Sequence, residues 1–314
     1  MKAVIPFVAQ LIDAEESAWL KALQIALPDY RLIRLEELTR EQCGTAEVAV
    51  VANPNPQDLG ALPNLKWVQS LWAGVERLVA ETQGANFAIV RMMDPQLAKT
   101  MAEAVLAWTL YLHRDMPRYR AQQAAQIWQH HPLSLASQRT IGVLGLGNLG
   151  RAAATKLVQQ EFKVCGWSRS PAAIPSVETF HGEEGLTQVL QRANILVCLL
   201  PLTENTLGLL NHRTLAQLPQ NASLINFARG PILDSDALIE HLDSGYLSHA
   251  VLDVFKEEPL PSQSPLWSHS AITVLPHISA PTNKQTAAHI VAANLNQFFD
   301  KRKIPPSVDR TLGY

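Results

Sequence analysis

Three glycines are spaced as in loops that bind the phosphates of a dinucleotide. Gly145, Gly147 and Gly150 follow the β-branched run "TIGVL" and open a helical stretch, and a second strand pattern, "KVCGW", comes about twenty residues later. The first glycine permits the tight turn, the second lets the backbone approach a pyrophosphate, and the third lets helix and strand pack closely. Amide groups at the helix start would point at the phosphates. A glycine-rich turn without a ligand is the alternative, and it would not need the whole strand, loop, helix and strand unit.

The end of the second strand indicates which dinucleotide binds. A carboxylate there normally binds the ribose 2′-hydroxyl of NAD, whereas an arginine accommodates the 2′-phosphate of NADP. Here Ser168, Arg169 and Ser170 occupy the position, and no acid occurs from Gly166 to Ser170. A hydroxyl and a guanidinium can bind phosphate with charge-assisted hydrogen bonds. The sequence therefore predicts that NADP(H) is preferred over NAD(H), with Arg169 as a solvated surface charge the alternative.

The glycine loop lies within a series of short apolar strand patterns separated by helical stretches, a rhythm typical of a doubly wound parallel sheet. These patterns are "RTIGVLG", "KVCGW", "ANILVCLLP", "ASLINFA", "LSHAVLDVF" and "AITVLPH". A similar series occupies the first part of the chain, with the patterns "KAVIPFV", "YRLIRL", "EVAVVA", "LKWVQS" and "FAIVR". Asp13 and Glu16 predict a capping box at the start of the first helix, "AEESAWLKALQIAL".

We expect an α/β fold with two doubly wound parallel-sheet domains, a Rossmann cofactor domain inserted into a flavodoxin-like substrate domain. The expected boundaries are 1–98 and 279–314 for the discontinuous substrate domain and 99–278 for the cofactor domain. A helix from about Lys284 to Asp300 is expected to pack back on the first domain. The stretch "QLAKTMAEAVLAWTLYLHRDMPRYRAQQAA" predicts a linking helix. Its apolar face forms either a dimer contact or the interior of one subunit, and its members are Met101, Val105, Trp108 and Leu112.

Composition indicates a globular protein of about two domains, with 314 residues, 47% hydrophobic and 17% charged. The formal charge of −2 and the absence of a basic run give no electrostatic reason to expect nucleic acid or an anionic membrane as partner. Cys43, Cys165 and Cys198 lie far apart, which favours free thiols over a disulfide or metal site. The N-terminal segment is a poor secretion signal, and no apolar run is long enough to span a bilayer. These features predict a cytoplasmic protein without a metal.

Five motifs resemble those of the D-isomer-specific 2-hydroxyacid dehydrogenase family, most closely its glyoxylate/hydroxypyruvate reductase branch. They are "GLGNLG", "LPLTENTLGLLN", "LINFARGPILDSDAL", "AVLDVFKEEPLP" and "PHISAPT", and they occur in the family's order over nearly the whole chain. Together they are highly specific. The resemblance implies reduction of a 2-oxo acid, which needs a hydride at the carbonyl carbon, a proton at its oxygen and a positive group for the carboxylate.

Three residues supply the catalytic groups that the resemblance implies. Arg229 follows the strand "SLINFA", and its planar fork suits a carboxylate and the adjacent carbonyl. His277 follows the strand "AITVLP" and can protonate the forming alkoxide. Glu258 is the family's partner of this histidine, where it would orient the ring and favour its charged form. Glu257 has the same chemistry, and only the place of Glu258 before Pro259 in the motif distinguishes the two.

The resemblance also implies further cofactor contacts. Asp253 corresponds to a family residue near the nicotinamide carboxamide; the alternative is an acid that merely closes a strand. The other expected cofactor-binding residues are Asn148, Leu149, Trp167, Leu200, Pro201, Thr206, Phe227 and Ala228.

The first domain is expected to contribute the loop in "SLWAGVERL". In the family the backbone amides of this loop bind the substrate carboxylate, which implies Ala73 and Gly74 here. Trp72 departs from the family, since many relatives have a small residue there; it either narrows the substrate pocket toward glyoxylate or turns away into the core. Trp128 lies where related enzymes reach across a dimer into the neighbouring site, and a purely structural aromatic is equally compatible with the sequence.

The expected function is therefore NADPH-dependent reduction of glyoxylate to glycolate and of hydroxypyruvate to D-glycerate by a homodimer. One alternative is an NAD-linked biosynthetic D-2-hydroxyacid dehydrogenase such as a phosphoglycerate enzyme, which Ser168 disfavours. The other is a non-enzymatic regulator that senses NADP(H). Turnover with small 2-oxo acids separates an enzyme from such a regulator.

Overall fold

The chain forms parallel sheets and surrounding helices within residues 3–310, the part that this computed structural model describes. The strands are β1 (Ala3–Ala9), β2 (Tyr30–Arg34), β3 (Val48–Ala52), β4 (Trp67–Ser70), β5 (Ala88–Val90), β6 (Thr140–Leu144), β7 (Lys163–Ser168), β8 (Glu178–His181), β9 (Ile195–Cys198), β10 (Ala222–Asn226), β11 (Leu247–Leu252) and β12 (Ile272–Val274). The α-helices are α1 (Asp13–Ala26), α2 (Arg40–Thr45), α3 (Glu76–Glu81), α4 (Pro95–His113), α5 (Met116–Ala124), α6 (Asn148–Val158), α7 (Gly182–Arg192), α8 (His212–Leu215), α9 (Ser235–Asp243) and α10 (Lys284–Lys301). Short 3-10 helices occur at Leu35–Glu37, Pro56–Ala61, Ala136–Gln138, Gly230–Ile232 and Pro265–Trp267.

Contacts divide the chain into two compact units. The terminal unit comprises the chain up to Gln96 together with the chain from Thr282, and the central unit is Leu97–Pro281. The chain therefore crosses between the units twice, once at the start of α4 and once just before α10.

The terminal unit is built on a five-stranded parallel sheet in the order β2-β1-β3-β4-β5. This is the flavodoxin-like order of a doubly wound sheet. One face is covered by α1 and α10, which pack against each other. Trp19, Trp67 and Phe298 are buried there, and the rings of Trp67 and Phe298 meet edge to face with centroids 5.6 Å apart. The last helix of the chain thus completes the core of the first strands.

The central unit contains a seven-stranded parallel sheet in the order β12-β11-β10-β9-β6-β7-β8. Its strand order reverses between β6 and β9, which is the Rossmann arrangement. Both faces are covered by helices, as the buried residues Val189 of α7 and Leu238 of α9 on one side and Val105 of α4 and Leu157 of α6 on the other illustrate. The predicted fold class, two doubly wound parallel sheets, is confirmed.

The predicted capping box at the start of α1 is absent. Helix α1 begins after Ile12 without a side-chain cap, so Asp13 and Glu16 do not form a capping box. Both acids lie in the first turn instead, where negative charge interacts favourably with the helix dipole, and Glu16 pairs with Arg34.

The predicted linking helix is broken. Helix α4 ends at His113, and Asp115 adopts a left-handed backbone (φ 53°) before α5. Pro117 explains the break, because in a continuous helix it would lack an N–H for the carbonyl of His113 and its ring would clash there. Met101, Val105 and Leu112 of α4 pack into the core of the central unit, and Trp108 lies against that core, so this face is interior to the subunit.

The strand patterns missed β8. Its sequence, "ETFH", lacks an apolar run because β8 is an edge strand that pairs with β7 alone. Among the described helices, none combines the length and hydropathy that crossing a bilayer requires. Within residues 3–310, no three His, Cys, Asp or Glu side chains are grouped so that they could hold a metal ion.

Candidate active site

The chemistry-bearing residues of the central unit follow parallel strands that lie side by side. Strand β6 pairs with β9, β9 with β10, β10 with β11 and β11 with β12. Because the carboxyl ends of parallel strands share one edge, the loops after these five strands emerge together. This edge carries the glycine loop, the segment after β9, Arg229, Glu258 and His277.

The glycine loop has the geometry that a pyrophosphate needs. Gly145 has a left-handed backbone (φ 98°), and a Cβ there would lie 2.7 Å from the carbonyl oxygen of Leu199, so only glycine fits this turn. Gly150 packs directly against the backbone of Gly145. Gly147 differs, since a Cβ at this position would meet no atom within 4 Å. The backbone at Gly147 is thus open to a ligand, and Asn148 and Leu149 begin α6 beside it.

The residues after β7 form a polar turn. The Ser168 hydroxyl donates to the carbonyl of Ser170 at 2.8 Å, and the side chain of Arg169 is exposed. Trp167 donates its indole N–H to the carbonyl of Gly182 at 2.7 Å, which places the indole at the start of α7. The polar groups at 168–170, two hydroxyls and one guanidinium with no carboxylate, fit a phosphate group.

The loop after β9 is held by one threonine. Thr206 is buried, its hydroxyl donates to the carbonyl of Pro201 at 2.7 Å, and it accepts the N–H of Thr203 at 2.8 Å. These bonds fix the shape of the segment 201–206. The remaining apolar residues expected at the cofactor, Leu200, Phe227 and Ala228, are buried in the core.

Arg229 emerges from a tightly built turn after β10. Asn226 is fully buried; its side-chain oxygen accepts the N–H of Ala228 at 3.2 Å, and its amide donates to the carbonyl of Arg229 at 3.3 Å. The guanidinium of Arg229 donates to the carbonyl of Ala228 at 2.7 Å. A Cβ at Gly230 would lie 1.9 Å from the carbonyl carbon of Phe255, so glycine is required where this turn meets the loop after β11.

His277 and Glu258 form a direct pair. Nδ1 of His277 lies 2.8 Å from Oε2 of Glu258, so the imidazole donates to the carboxylate and its Nε2 points away from it. The other oxygen, Oε1, accepts the N–H of Phe255 at 2.9 Å, which anchors the carboxylate to its own loop. The His277 side chain is 54% exposed, enough for a substrate to reach the ring. Glu257, the chemically equivalent neighbour, is exposed to solvent.

Asp253 supports the backbone that carries His277. Its two carboxylate oxygens accept the N–H groups of Ile278 at 2.7 Å and Ser279 at 2.9 Å. His277 itself has a left-handed backbone (φ 54°), a strained conformation for a residue other than glycine. Asp253 is 2% exposed. It therefore holds the turn that points His277 outward, a role beyond closing a strand.

The loop expected to bind the substrate carboxylate lies in the terminal unit, after β4. Trp72 turns into the core, where its ring meets that of Trp19 edge to face with centroids 5.7 Å apart. Of the two possibilities for Trp72, the structure thus shows packing against the core. Ala73 and Gly74 are partly exposed, and neither backbone N–H donates to another group of the described chain. Two free amides in sequence suit an anion.

Trp128 lies on an arm that follows α5. It is 93% exposed, and Ile127, Leu133 and Leu135 beside it are also more than half exposed. The arm is ordered by its own bonds: the N–H of Ile127 donates to the carbonyl of Gln122 at 2.9 Å. Trp128 is therefore not a core aromatic of this subunit.

Sequence reasoning missed the residues that shape the turns. Asn226 and Gly230 flank Arg229, and the only signals for them were a polar residue at the end of an apolar strand and a glycine next to the arginine. The positioning role of Asp253 had no sequence signal, because its partners lie 25 and 26 residues later.

Comparison with known families gives one match over more than half of the chain. Residues 106–279 match the model described as "D-isomer specific 2-hydroxyacid dehydrogenase, NAD binding domain". The chain is 37% identical over 306 residues to a glyoxylate/hydroxypyruvate reductase A from Yersinia enterocolitica, an alignment that covers 96% of this chain and 97% of the relative.

Two solved structures superimpose on nearly the whole chain. A D-isomer specific 2-hydroxyacid dehydrogenase from Xanthobacter autotrophicus, in complex with NADPH and MES, superimposes with a TM-score of 0.92 at 37% identity and 99% coverage of both chains. An NADPH-dependent glyoxylate/hydroxypyruvate reductase from Sinorhizobium meliloti, in complex with NADP and sulfate, gives 0.91 at 32% identity, with 99% of this chain and 100% of that chain covered.

Proposed function

Because the chain belongs to the D-isomer specific 2-hydroxyacid dehydrogenase family and is thus an NAD(P)-dependent oxidoreductase, we propose that it reduces small 2-oxo acids with NADPH. The proposed substrates are glyoxylate and hydroxypyruvate. The observation that carries the proposal is the pair of His277 and Glu258 at the same sheet edge as Arg229 and the glycine loop. The names of the Yersinia and Sinorhizobium relatives support the choice of substrates.

In this proposal His277 delivers the proton. Glu258 accepts the Nδ1 proton at 2.8 Å and so leaves Nε2 to carry the proton that the substrate oxygen takes up. The bond from Phe255 to the other carboxylate oxygen keeps Glu258 from rotating away. The pair thus corresponds to a general acid and the carboxylate that orients it.

Arg229 is proposed to bind the carboxylate and polarise the carbonyl of the substrate. Its planar guanidinium can donate two parallel hydrogen bonds, which a lysine cannot do. The turn stabilised by Asn226 and Gly230 fixes the position of its backbone. The N–H groups of Ala73 and Gly74 are proposed as further donors to the substrate carboxylate.

The cofactor is proposed to be NADPH, held by the glycine loop and by the turn at 168–170. The open backbone at Gly147 and the start of α6 suit the pyrophosphate, and Ser168, Arg169 and Ser170 suit the 2′-phosphate. The Xanthobacter and Sinorhizobium structures were determined with NADPH and NADP, which supports this choice. The bound cofactor would supply the hydride.

The working form is proposed to be a homodimer in a reducing compartment such as the cytoplasm. The arm exposes four large apolar side chains, Trp128, Ile127, Leu133 and Leu135, a surface that monomeric proteins rarely leave uncovered. A second copy of this chain would cover it. Three free cysteines, two of them buried, favour the reducing compartment. Sedimentation equilibrium of wild type and of Trp128→Ser tests the dimer, and a monomeric wild type would refute it.

The test of the function is the initial rate of NADPH oxidation, and separately of NADH oxidation, with glyoxylate, hydroxypyruvate and pyruvate. We expect turnover with NADPH and the first two acids, and loss of about 10²-fold or more in His277→Asn. The matched control is His289→Asn, which changes an exposed histidine of α10. Equal rates in wild type and His277→Asn would refute the assignment of His277, and the absence of turnover with every acid would refute the function.

A further inference from the structure

A fully buried glutamine lies at the end of the strand that leads to the loop 71–74. Gln69, on β4, is 0% exposed, although an amide is costly to bury unless its hydrogen bonds are made. Its Nε2 donates to the carbonyl of Ser70 at 2.9 Å and to that of Val90 at 3.3 Å. One side chain thus ties the last peptide of β4 to the neighbouring strand β5.

The acceptor atom of the same amide is satisfied from the far end of the chain. Nδ2 of Asn294, on α10, donates to Oε1 of Gln69 at 2.7 Å. The two residues are 225 positions apart in sequence. A buried amide with all of its bonds made has a single favourable orientation, so the pair locks the position of β4 relative to α10.

Further hydrogen bonds connect the end of β4 to the backbone of the loop 71–74. The Ser70 hydroxyl is buried and accepts the N–H of Trp72 at 3.0 Å, while the carbonyl of Trp72 accepts the N–H of Met92 at 3.0 Å. The next two N–H groups, those of Ala73 and Gly74, donate to no group of the described chain. The polar network therefore ends where the loop presents its free amides.

We propose that Gln69 and Asn294 are positioning residues for the loop that binds the substrate carboxylate. By fixing the peptide after β4, they set the direction in which the amides of Ala73 and Gly74 point, without touching the substrate themselves. The inference rests on the proposed function, because that function assigns the carboxylate to this loop. A loop displaced by a fraction of an ångström would bind the acid more weakly while cofactor binding stayed the same.

The test compares Asn294→Leu, Gln69→Met and the double variant with wild type. Asn294→Leu leaves the buried carbonyl oxygen of Gln69 without its donor, and Gln69→Met leaves the half-buried amide of Asn294 without its acceptor, so each single change should lower the melting temperature. The double change replaces the pair by an apolar contact of similar shape and should recover much of that loss. We expect the KM for glyoxylate to rise about tenfold in all three, including the restored double variant, with an unchanged Kd for NADPH. A role limited to stability predicts instead that KM recovers together with the melting temperature.

The matched control is Tyr30→Phe. It removes the bond from the Tyr30 hydroxyl to Oδ1 of Asn296, 2.9 Å long, which joins the same helix to β2 and does not involve the loop. A comparable loss of stability with a wild-type KM is expected. A raised KM in this control, or a wild-type KM in the double variant, would overturn the proposal.

A second readout separates this inference from the function on which it rests. Amide hydrogen exchange of residues 71–75 needs no turnover, and it should be faster in the double variant than in Tyr30→Phe. Equal exchange in both would overturn the positioning role. If wild type fails to reduce any 2-oxo acid, the proposed function is refuted, and exchange alone then decides whether the pair orders the loop.

Discussion

Gly150 lies directly against the carbonyl group of Gly145: a Cβ at position 150 would lie 1.7 Å from the Gly145 oxygen and 2.8 Å from its carbon. The atoms in the way belong to the backbone of the phosphate loop, which cannot move aside without changing the loop itself. The third glycine of the motif is thus fixed by packing within the protein, and the second, Gly147, is open.

This difference predicts distinct outcomes for two alanine substitutions. Gly150→Ala should displace the loop, lowering the melting temperature and weakening NADPH binding by about tenfold or more. Gly147→Ala, with ordinary φ and open space, should keep the wild-type melting temperature and weaken NADPH binding only. Thermal unfolding and fluorescence titration measure the two effects. Equal melting temperatures in both variants would contradict the packing argument.

Removal of the charge at Glu258 should slow turnover. Glu258→Gln keeps the size of the side chain that contacts His277 but replaces the carboxylate by a weaker acceptor for the Nδ1–H group, so the ring is oriented less firmly and we expect kcat to fall about 10²-fold. Glu257→Gln, at the exposed neighbouring position, should leave kcat unchanged. Steady-state kinetics with glyoxylate measures both. A larger loss in Glu257→Gln would reassign the partner of His277.

The turn at 168–170 should determine the choice of cofactor. Ser168→Asp introduces the carboxylate that repels a 2′-phosphate, and we expect the ratio of kcat/KM for NADPH over NADH to fall at least about tenfold. Arg169→Ala should raise the KM for NADPH and make it less sensitive to salt, because one charge-assisted contact is lost. An unchanged cofactor ratio in both variants would place the phosphate elsewhere.

Acid should destabilise the edge of the central sheet through His249. Burial, and to a lesser degree the neighbouring His269, lowers the pKa of His249 from 6.5 to about 4. The unfolded state binds a proton at His249 below about pH 6.5, whereas the folded state does so only near pH 4. The contribution of His249 to the free energy of unfolding is therefore fully present above pH 6.5 and is lost as the pH falls toward 4. The free energy of unfolding should drop by about 2 kcal/mol between pH 7 and 5 on account of this group.

Urea unfolding at the two pH values measures that loss. His249→Gln, which keeps a group able to bond the Thr273 hydroxyl now 2.9 Å from the imidazole, should make the pH dependence smaller. His130→Gln, on the exposed arm, should leave it unchanged. The same slope in His249→Gln as in wild type would show that other groups are responsible.

Local patterns predicted most of the architecture, because buried parallel strands are short apolar runs that the sequence displays directly. The runs at Val48–Ala52 and Ile195–Cys198 are examples, each buried at every position. Strand β8 was not predicted, because an edge strand with a single neighbour needs no such apolar run. The capping box predicted at Asp13 is absent because Asp13 already lies inside the helix, after the N-cap residue Ile12. Suitable residue types permit a capping box but do not fix where the helix begins.

The parts of the site that depend on distant partners could not be predicted. Motif positions indicated His277 and Glu258, but the support of His277 by Asp253 and the bond from Asn294 to Gln69 join residues 25 or more positions apart. Trp72 had two compatible environments, and only the position of Trp19 on α1 decided between them. Contacts between side chains that are far apart in sequence leave no pattern in the residues next to either one.

The terminal unit takes its last helix from the end of the chain, and this arrangement sets an order of events on the ribosome. The strands β1 to β5 are made first, yet the face that buries Trp67 is closed by Phe298 of α10. At about 5–20 residues per second, the intervening residues take on the order of ten seconds or more to synthesise. Until then α1 alone can cover that face of the nascent N-terminal sheet, and the part that α10 buries stays exposed, while the central unit, continuous in sequence, can fold ahead of it.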